Sequence, residues 1–190
     1  MATFGKTTNG ASTQSYTSDR KLVSLATPTT SGTVTAGVCR MYTATAVSVP
    51  VRMVIYSSTA GEPDALLAVS DDTSFNSNTE ADRAFTFSGA NQIQITGGVG
   101  YWIGPHYDYT TQAVLVSRDN TAGLVRSNND TFSDGSANPF GVTATTAGAI
   151  DAYITYTETS VKTIDGLIKA SVKTVDGLAV ASVKTINGLA

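Results

Sequence analysis

The chain has 190 residues and a formal charge of −3, with 14% charged and 41% hydrophobic residues. That length suits one ordinary domain plus an appendage, with enough chain to bury a core. The mildly acidic balance lacks the basic patch that nucleic-acid binding needs, and the composition fits a β-rich extracellular or virion-type protein better than a helical cytosolic enzyme.

The charge is unevenly placed. Residues 1–159 hold eight Lys and Arg against thirteen Asp and Glu, for −5, whereas the last 31 residues carry +2. The four tail lysines are spread along the chain and form no polybasic run. Cys39 is the single cysteine, so no intrachain disulfide can form. The opening MATFGKTTNG has no basic region leading into an apolar one, and no stretch is apolar enough to span a membrane. No cleaved signal and no membrane insertion are therefore expected. Assembly in a host cytoplasm and release at lysis, as for a phage, reconciles these features with an outside role.

Strand signals dominate. Lys21–Leu25 is the first clear one, after a polar Ser/Thr leader, and Thr33–Ala46 is a long run rich in Thr, Val and Ala. Val49–Tyr56 places Val51, Met53 and Ile55 on one face and Arg52, Val54 and Tyr56 on the other, as in a central strand. Arg83–Phe87 turns Phe85 and Phe87 inward, and Gln92–Thr96 does the same with Ile93 and Ile95. Tyr101–Ile103, Ala113–Ser117, Leu124–Arg126 and Ala152–Tyr156 follow. The segments Thr59–Asp64 and Thr96–Gly100 read as Gly/Pro breakers, and Asn128–Gly141 as a long polar loop of the kind that is functional or docked. About ten short strands between Gly, Asn, Asp and Pro clusters predict an all-β antiparallel sandwich over 1–158. Residues 159–190 stand apart as a repeat tail.

Val54–Asp71 (VIYSSTAGEPDALLAVSD), then Gly100–Gly104 (GYWIG) and Asn138–Gly141 (NPFG), resemble a family of jelly-roll-like β-sandwich modules. Such modules occur in phage structural proteins and in secreted bacterial surface proteins. Phe4–Ser12 looks like the family's N-terminal strand, so the resemblance spans roughly residues 3–158. It implies a jelly-roll-like fold and a role in binding or decoration, often of carbohydrate.

Candidate chemistry is sparse. His106 is the lone histidine, in YWIGPHYDY (Tyr101–Tyr109), with Asp108 close by. No nucleophile-elbow motif accompanies it, so a surface histidine at a strand end outweighs a hydrolase. Trp102 cannot share a strand face with its neighbours and is expected in the core. Tyr107 and Tyr109, two residues apart, are the better exposed aromatics for a ligand such as a sugar, with His106 beside them. Asp71, Asp72, Asp119, Asp130 and Asp134 are read as solvated loop residues, because none follows the ligand spacing of a calcium loop. Cys39 is read as a small buried hydrophobe. No metal and no cofactor are expected.

The tail carries the most specific signal. SVKTIDGLIKA, SVKTVDGLAVA and SVKTINGLA repeat with a period of eleven from Ser160 to Ala190. Similar eleven-residue repeats stand at the ends of some phage virion proteins. The apolar positions are Val161, Ile164 and Leu167, then Val172, Val175 and Leu178, then Val183, Ile186 and Leu189. An eleven-residue period can build a right-handed helical coil. The Asp-Gly and Asn-Gly pairs and the β-branched residues favour a short extended piece and a turn in each copy. Three aliphatics per copy fall short of the cost of ordering eleven residues, so the tail needs a partner. The nine apolar side chains are the expected contact face, and a flexible linker is the plainer alternative.

Together these features predict a non-enzymatic virion structural protein, a decoration, fibre or adsorption module held by its repeats. Its partners would be other virion proteins and copies of itself, a trimer by analogy, with surface glycans as a further ligand. The alternative is a carbohydrate-binding module of a secreted or surface bacterial protein.

Overall fold

The computed structural model describes residues 1–109, 113–141 and 144–159, and beyond these the backbone of 163–164, 167–168, 174–175 and 178–179; for 121 and 122 it describes the backbone alone. The chain divides into two compact units, Met1–Glu158 and Thr159–Ala190.

The first unit contains β1 (Ala2–Gly5), β2 (Ser12–Tyr16), β3 (Arg20–Ala26), β4 (Gly32–Thr43), β5 (Val49–Thr59), β6 (Glu62–Val69) and β7 (Thr73–Phe75). It continues with β8 (Ala81–Thr86), β9 (Gln94–Ile95), β10 (Tyr101–Tyr107), β11 (Val114–Asn129), β12 (Ala144–Ile150) and β13 (Ala152–Glu158). Every pairing is antiparallel.

Two layers result. One has β1, β13 and β4 side by side, with β8 and β9 on the far edge of β4. The other runs β12, β11, β3, β10, β5 and β6, with β7 beside the start of β5. The long strand β11 joins them. Its first half pairs with β4 and β2 and its second half with β3, while β12 follows it on both sides of a register shift between Asp119 and Leu124. Such a bulge bends a strand and lets it change sheets. The layers face each other across one core that includes Phe4, Leu22, Val34, Met41, Val51, Met53, Ile55, Phe85, Ile103, Val125, Ile154 and Tyr156. Phe4 of β1 packs against Tyr101 of the opposite layer and Tyr156 of its own, at 6.1 and 5.9 Å between ring centroids. Gly37 of β4 lies so near Met53 of β5 that a Cβ there would sit 2.2 Å from the sulfur.

The fold is thus all-β, antiparallel and sandwiched, as the strand pattern predicts, and the chain crosses repeatedly between layers. Val51, Met53 and Ile55 face the core while Val54 and Tyr56 face outward into a second cluster. Three readings change. The breaker at Thr59–Asp64 shrinks to Ala60–Gly61, because Gly61, at φ 82°, supplies the turn and Glu62 already pairs with Thr59. The two segments around Ala113–Ser117 and Leu124–Arg126 are one strand. The Ser/Thr leader before Lys21 holds two strands, β1 and β2, with Phe4–Ser12 bridging them rather than forming one.

The segment between β1 and β2 is tied down by Asp151, which is 4% exposed. Its carboxylate meets Lys6 Nζ at 2.9 Å and accepts the Gly10 N–H at 2.6 Å. Replacing Asp151 with alanine leaves that amide without its partner, so a loss of about 1–3 kcal/mol is expected in urea denaturation. Asparagine, which keeps an acceptor, should recover some of it. An unchanged midpoint in the alanine variant would show that the segment is held by other contacts.

In the second unit the described backbone is extended. Strand β14 (Thr163–Ile164) pairs with β15 (Leu167–Ile168), and β16 (Thr174–Val175) pairs with β17 (Leu178–Ala179). The two hairpins have the same register eleven residues apart, each with two intervening residues, Asp-Gly in sequence. This is the extended-and-turn reading, in place of the helical one. Val161, Val172, Val183, Ile186 and Leu189 lie outside the described residues, and of Ile164, Leu167, Val175 and Leu178 only the backbone is described.

Candidate functional site

The chemistry gathers on the outer face of the second layer. Strand β10 is buried along its whole length. Alternation sends Tyr101, Ile103 and Tyr107 to the main core and Trp102 and His106 to the other face. In register, His106 sits between Lys21 of β3 and Arg52 of β5. Three nitrogen bases therefore stand in a row across the outer face.

Residues 130–141 cover that row. Phe132 and Phe140 are the buried plugs of this flap. Phe140 packs edge-on against Tyr56 at 5.0 Å, and Phe132 against His106 at 5.2 Å. Backbone and side-chain bonds fasten the flap. The Phe132 N–H donates to Asp19 Oδ2 at 3.0 Å, the Phe140 N–H to the Asp64 carbonyl at 2.9 Å, and the Tyr56 hydroxyl to the Ala137 carbonyl at 2.8 Å. Asn138 Oδ1 accepts the Leu66 N–H at 3.0 Å.

Beneath the flap Lys21 is fully buried. Its Nζ lies 3.0 Å from Asp130 Oδ2, donates to the Phe140 carbonyl at 3.2 Å, and stands 4.7 Å from the centre of the Phe140 ring. Burial pulls the Lys21 pKa below its ordinary value, against the opposing hydrogen bond and charge of Asp130. The His106 Nε2–H donates to the Asp130 carbonyl at 3.1 Å, which leaves Nδ1 to accept from the Ser136 hydroxyl at 2.8 Å. Burial holds the imidazole pKa below its usual value; Arg52 and Lys21 push the same way, while Asp130 resists. Arg52 pairs with Asp72 at 2.9 Å, donates to the Phe132 carbonyl at 3.2 Å, and lies 3.8 Å over the Phe132 ring. Burial, aided by Asp130, raises the Tyr56 hydroxyl.

Both imidazole nitrogens are spent on holding the flap, and the Asp130 carboxylate is spent on Lys21 and on the Ala137 N–H at 2.9 Å. The arrangement is that of a latch. A proton-shuttling base needs a nitrogen free to face a substrate.

Two sequence-based site residues change place. His106, expected at the surface, is fully buried, because the flap seals the outer face. Tyr107, expected to be exposed, is fully buried too, because its parity on β10 points it into the main core, where burial raises its hydroxyl pKa well above the ordinary value. Tyr109 is half-buried just beyond the strand, with its N–H on Asp19 Oδ1 at 2.7 Å. The three do not form one ligand platform. Trp102 is a buried residue, and its indole N–H donates to Ser58 Oγ at 3.2 Å. Cys39 is buried in the core, and burial raises its thiol pKa.

The aspartates disperse. Asp71 accepts from Ser88, Asp72 meets Arg52, and Asp130 meets Lys21. Among the described residues no group of three or more His, Cys, Asp or Glu could hold a metal ion. A shallow cleft of about 330 Å³ lies elsewhere, lined by Gly5, Lys6, Ser24, Leu25, Asp119 and Ala149 among others, without an aromatic ring for stacking. Sequence reasoning missed Lys21, Arg52, Asp130 and Ser136 as a group. Its one available signal was a lysine inside the apolar run RKLVSL together with a loop that has Phe132 near one end and Phe140 near the other.

No family model, curated protein or solved structure matches the chain.

Proposed function

We propose that the chain is a non-enzymatic structural protein of a virion, a decoration, fibre or adsorption module that presents its sandwich and is attached through its C-terminal repeats. The observation that carries this reading is the pair of tail hairpins in identical register eleven residues apart. Hairpins with two-residue strands are marginal in water by themselves. Identical units of this kind gain stability from neighbours. Copies of the same chain, or particle proteins with matching repeats, would supply them. Many weak contacts from heads on one scaffold would then add up through multivalency. The carbohydrate-binding reading loses support from the burial of His106 and Tyr107, two of the three residues it rested on.

The test is sedimentation of the full chain beside a variant lacking residues 160–190. A defined oligomer, a trimer by analogy, is expected for the first and a folded monomer for the second. An antibody against residues 1–158 should label purified particles. A monomeric full chain, or particles without it, would overturn the proposal.

A further inference from the structure

We propose that residues 130–141 are an acid-released flap: protonation of His106 completes a row of three cations, the buried Lys21 and His106 and the partly buried Arg52, which Asp130, already paired with Lys21, cannot balance, and the flap lifts from the outer face. The inference stands on the row and the flap alone and is independent of the proposed virion role.

The geometry fixes the players. His106 is the direct cross-strand neighbour of Lys21 on one side and of Arg52 on the other. Directly opposed like charges on a sheet destabilise it, and burial strengthens the repulsion. From the flap, Asp130 faces the ring with its carbonyl and, at 3.9 Å, with its carboxylate. Asp72 balances Arg52 from the far side. Asp19 holds the flap through backbone amides, its carboxylate accepting the Phe132 N–H and its carbonyl the Asp130 N–H, and Asp108 lies beside Asp19. No carboxylate in this set is spare for a protonated imidazole.

Burial, the largest influence on the ring, favours its neutral form, and the two cations add to it. A histidine held below its ordinary pKa keeps the closed state fully populated above the open-state value, near 6.5. Closure is then lost as pH falls through that value toward the depressed one. The flap is suited to moving. Its own buried side chains are few, Phe132 and Phe140, while the strands beneath belong to the main sheet. Lifting it would bare Val23, Val54, Tyr56 and Trp102.

Hydrogen exchange on the full chain, corrected for intrinsic rates, reads the opening directly. Between pH 7.5 and 5 the protection of the Phe132, Ala137 and Phe140 amides should fall on the order of tenfold, because the closed state disfavours the protonated ring. Amides of β13 should hold. Emission from Trp102, the single tryptophan, should shift to the red in the same window. His106→Gln should abolish the response, and Arg52→Gln, which removes one cation, should shrink it and keeps the test open where the His106 variant fails to fold. Constant flap protection in the wild type, loss of β13 protection in step with the flap, an undiminished response in Arg52→Gln, or the same response in His106→Gln would each overturn the proposal.

Discussion

Replacing Asp130 with alanine should cost about 3–5 kcal/mol at neutral pH, the loss expected when one partner of a buried ion pair is removed. Lys21 has no exposed surface, so its ammonium cannot turn to water. Its other contacts are the Phe140 carbonyl and two aromatic faces, Phe140 and Tyr56, which soften the loss without supplying a negative charge. The Ala137 N–H loses its acceptor in the same step, which loosens the flap turn. The sign of the pH dependence follows from Lys21. Its folded-state pKa is already depressed by burial, and without Asp130 no negative charge opposes that burial. The folded variant therefore favours the neutral amine, and its stability recovers as pH rises through the depressed value toward the ordinary one near 10.4. Urea denaturation at pH 7 and at pH 9.5 should show the gap to wild type narrowing. The double substitution Lys21→Met with Asp130→Leu should be far less costly than the single one, because apolar side chains of similar volume replace buried ion pairs with little penalty. A single variant as stable as wild type at pH 7 would mean that Lys21 reaches water by another path.

How far the sequence reaches is best seen strand by strand. Val49–Tyr56 is legible because alternation encodes both faces, and both are filled as read. Trp102 is legible for the same reason. Tyr107 is buried because its parity with Tyr101 and Ile103 turns it into the main core. His106 is misplaced by a different kind of fact: parity puts it on the outer face, yet it cannot say that the outer face is itself covered. That cover comes from residues 130–141, which look like a solvated loop, with Asn, Asp, Ser and Gly between two phenylalanines. Nothing local marks Asp130 as the partner of a lysine more than a hundred residues earlier. The single span of β11 is hidden likewise. The polar stretch DNTAG between Asp119 and Gly123 reads as a loop, whereas in the fold it is the bend by which one strand serves both layers. In the tail, the Asp-Gly spacing encodes the hairpins directly, because a two-residue connection leaves little choice of register.

The close approach of β3 and β10 leads to the second large effect, at Gly104. Pro105 has no N–H to donate, and between the pairs Ile103–Ser24 and His106–Lys21 the ladder to β3 is interrupted. At that gap the β3 backbone comes against Gly104. A Cβ would lie 2.0 Å from the Leu22 carbonyl oxygen and 2.6 Å from the Ile150 side chain. The isoleucine tip can rotate, but the carbonyl cannot. Gly104→Ala must therefore push a pair of central strands away from each other, and a loss of about 3 kcal/mol or more is expected, at the upper end of what overpacking usually costs. Gly61 is the control. It has a positive φ of 82° but open space around it, so Gly61→Ala should pay only backbone strain, on the order of 1 kcal/mol. Equal losses at the two positions in thermal or urea denaturation would rule out the close approach. The two effects also meet in one place. Separating β3 from β10 at Gly104 draws Lys21 away from His106, its cross-strand neighbour, so the alanine variant should lose flap protection in hydrogen exchange before it loses protection in β13.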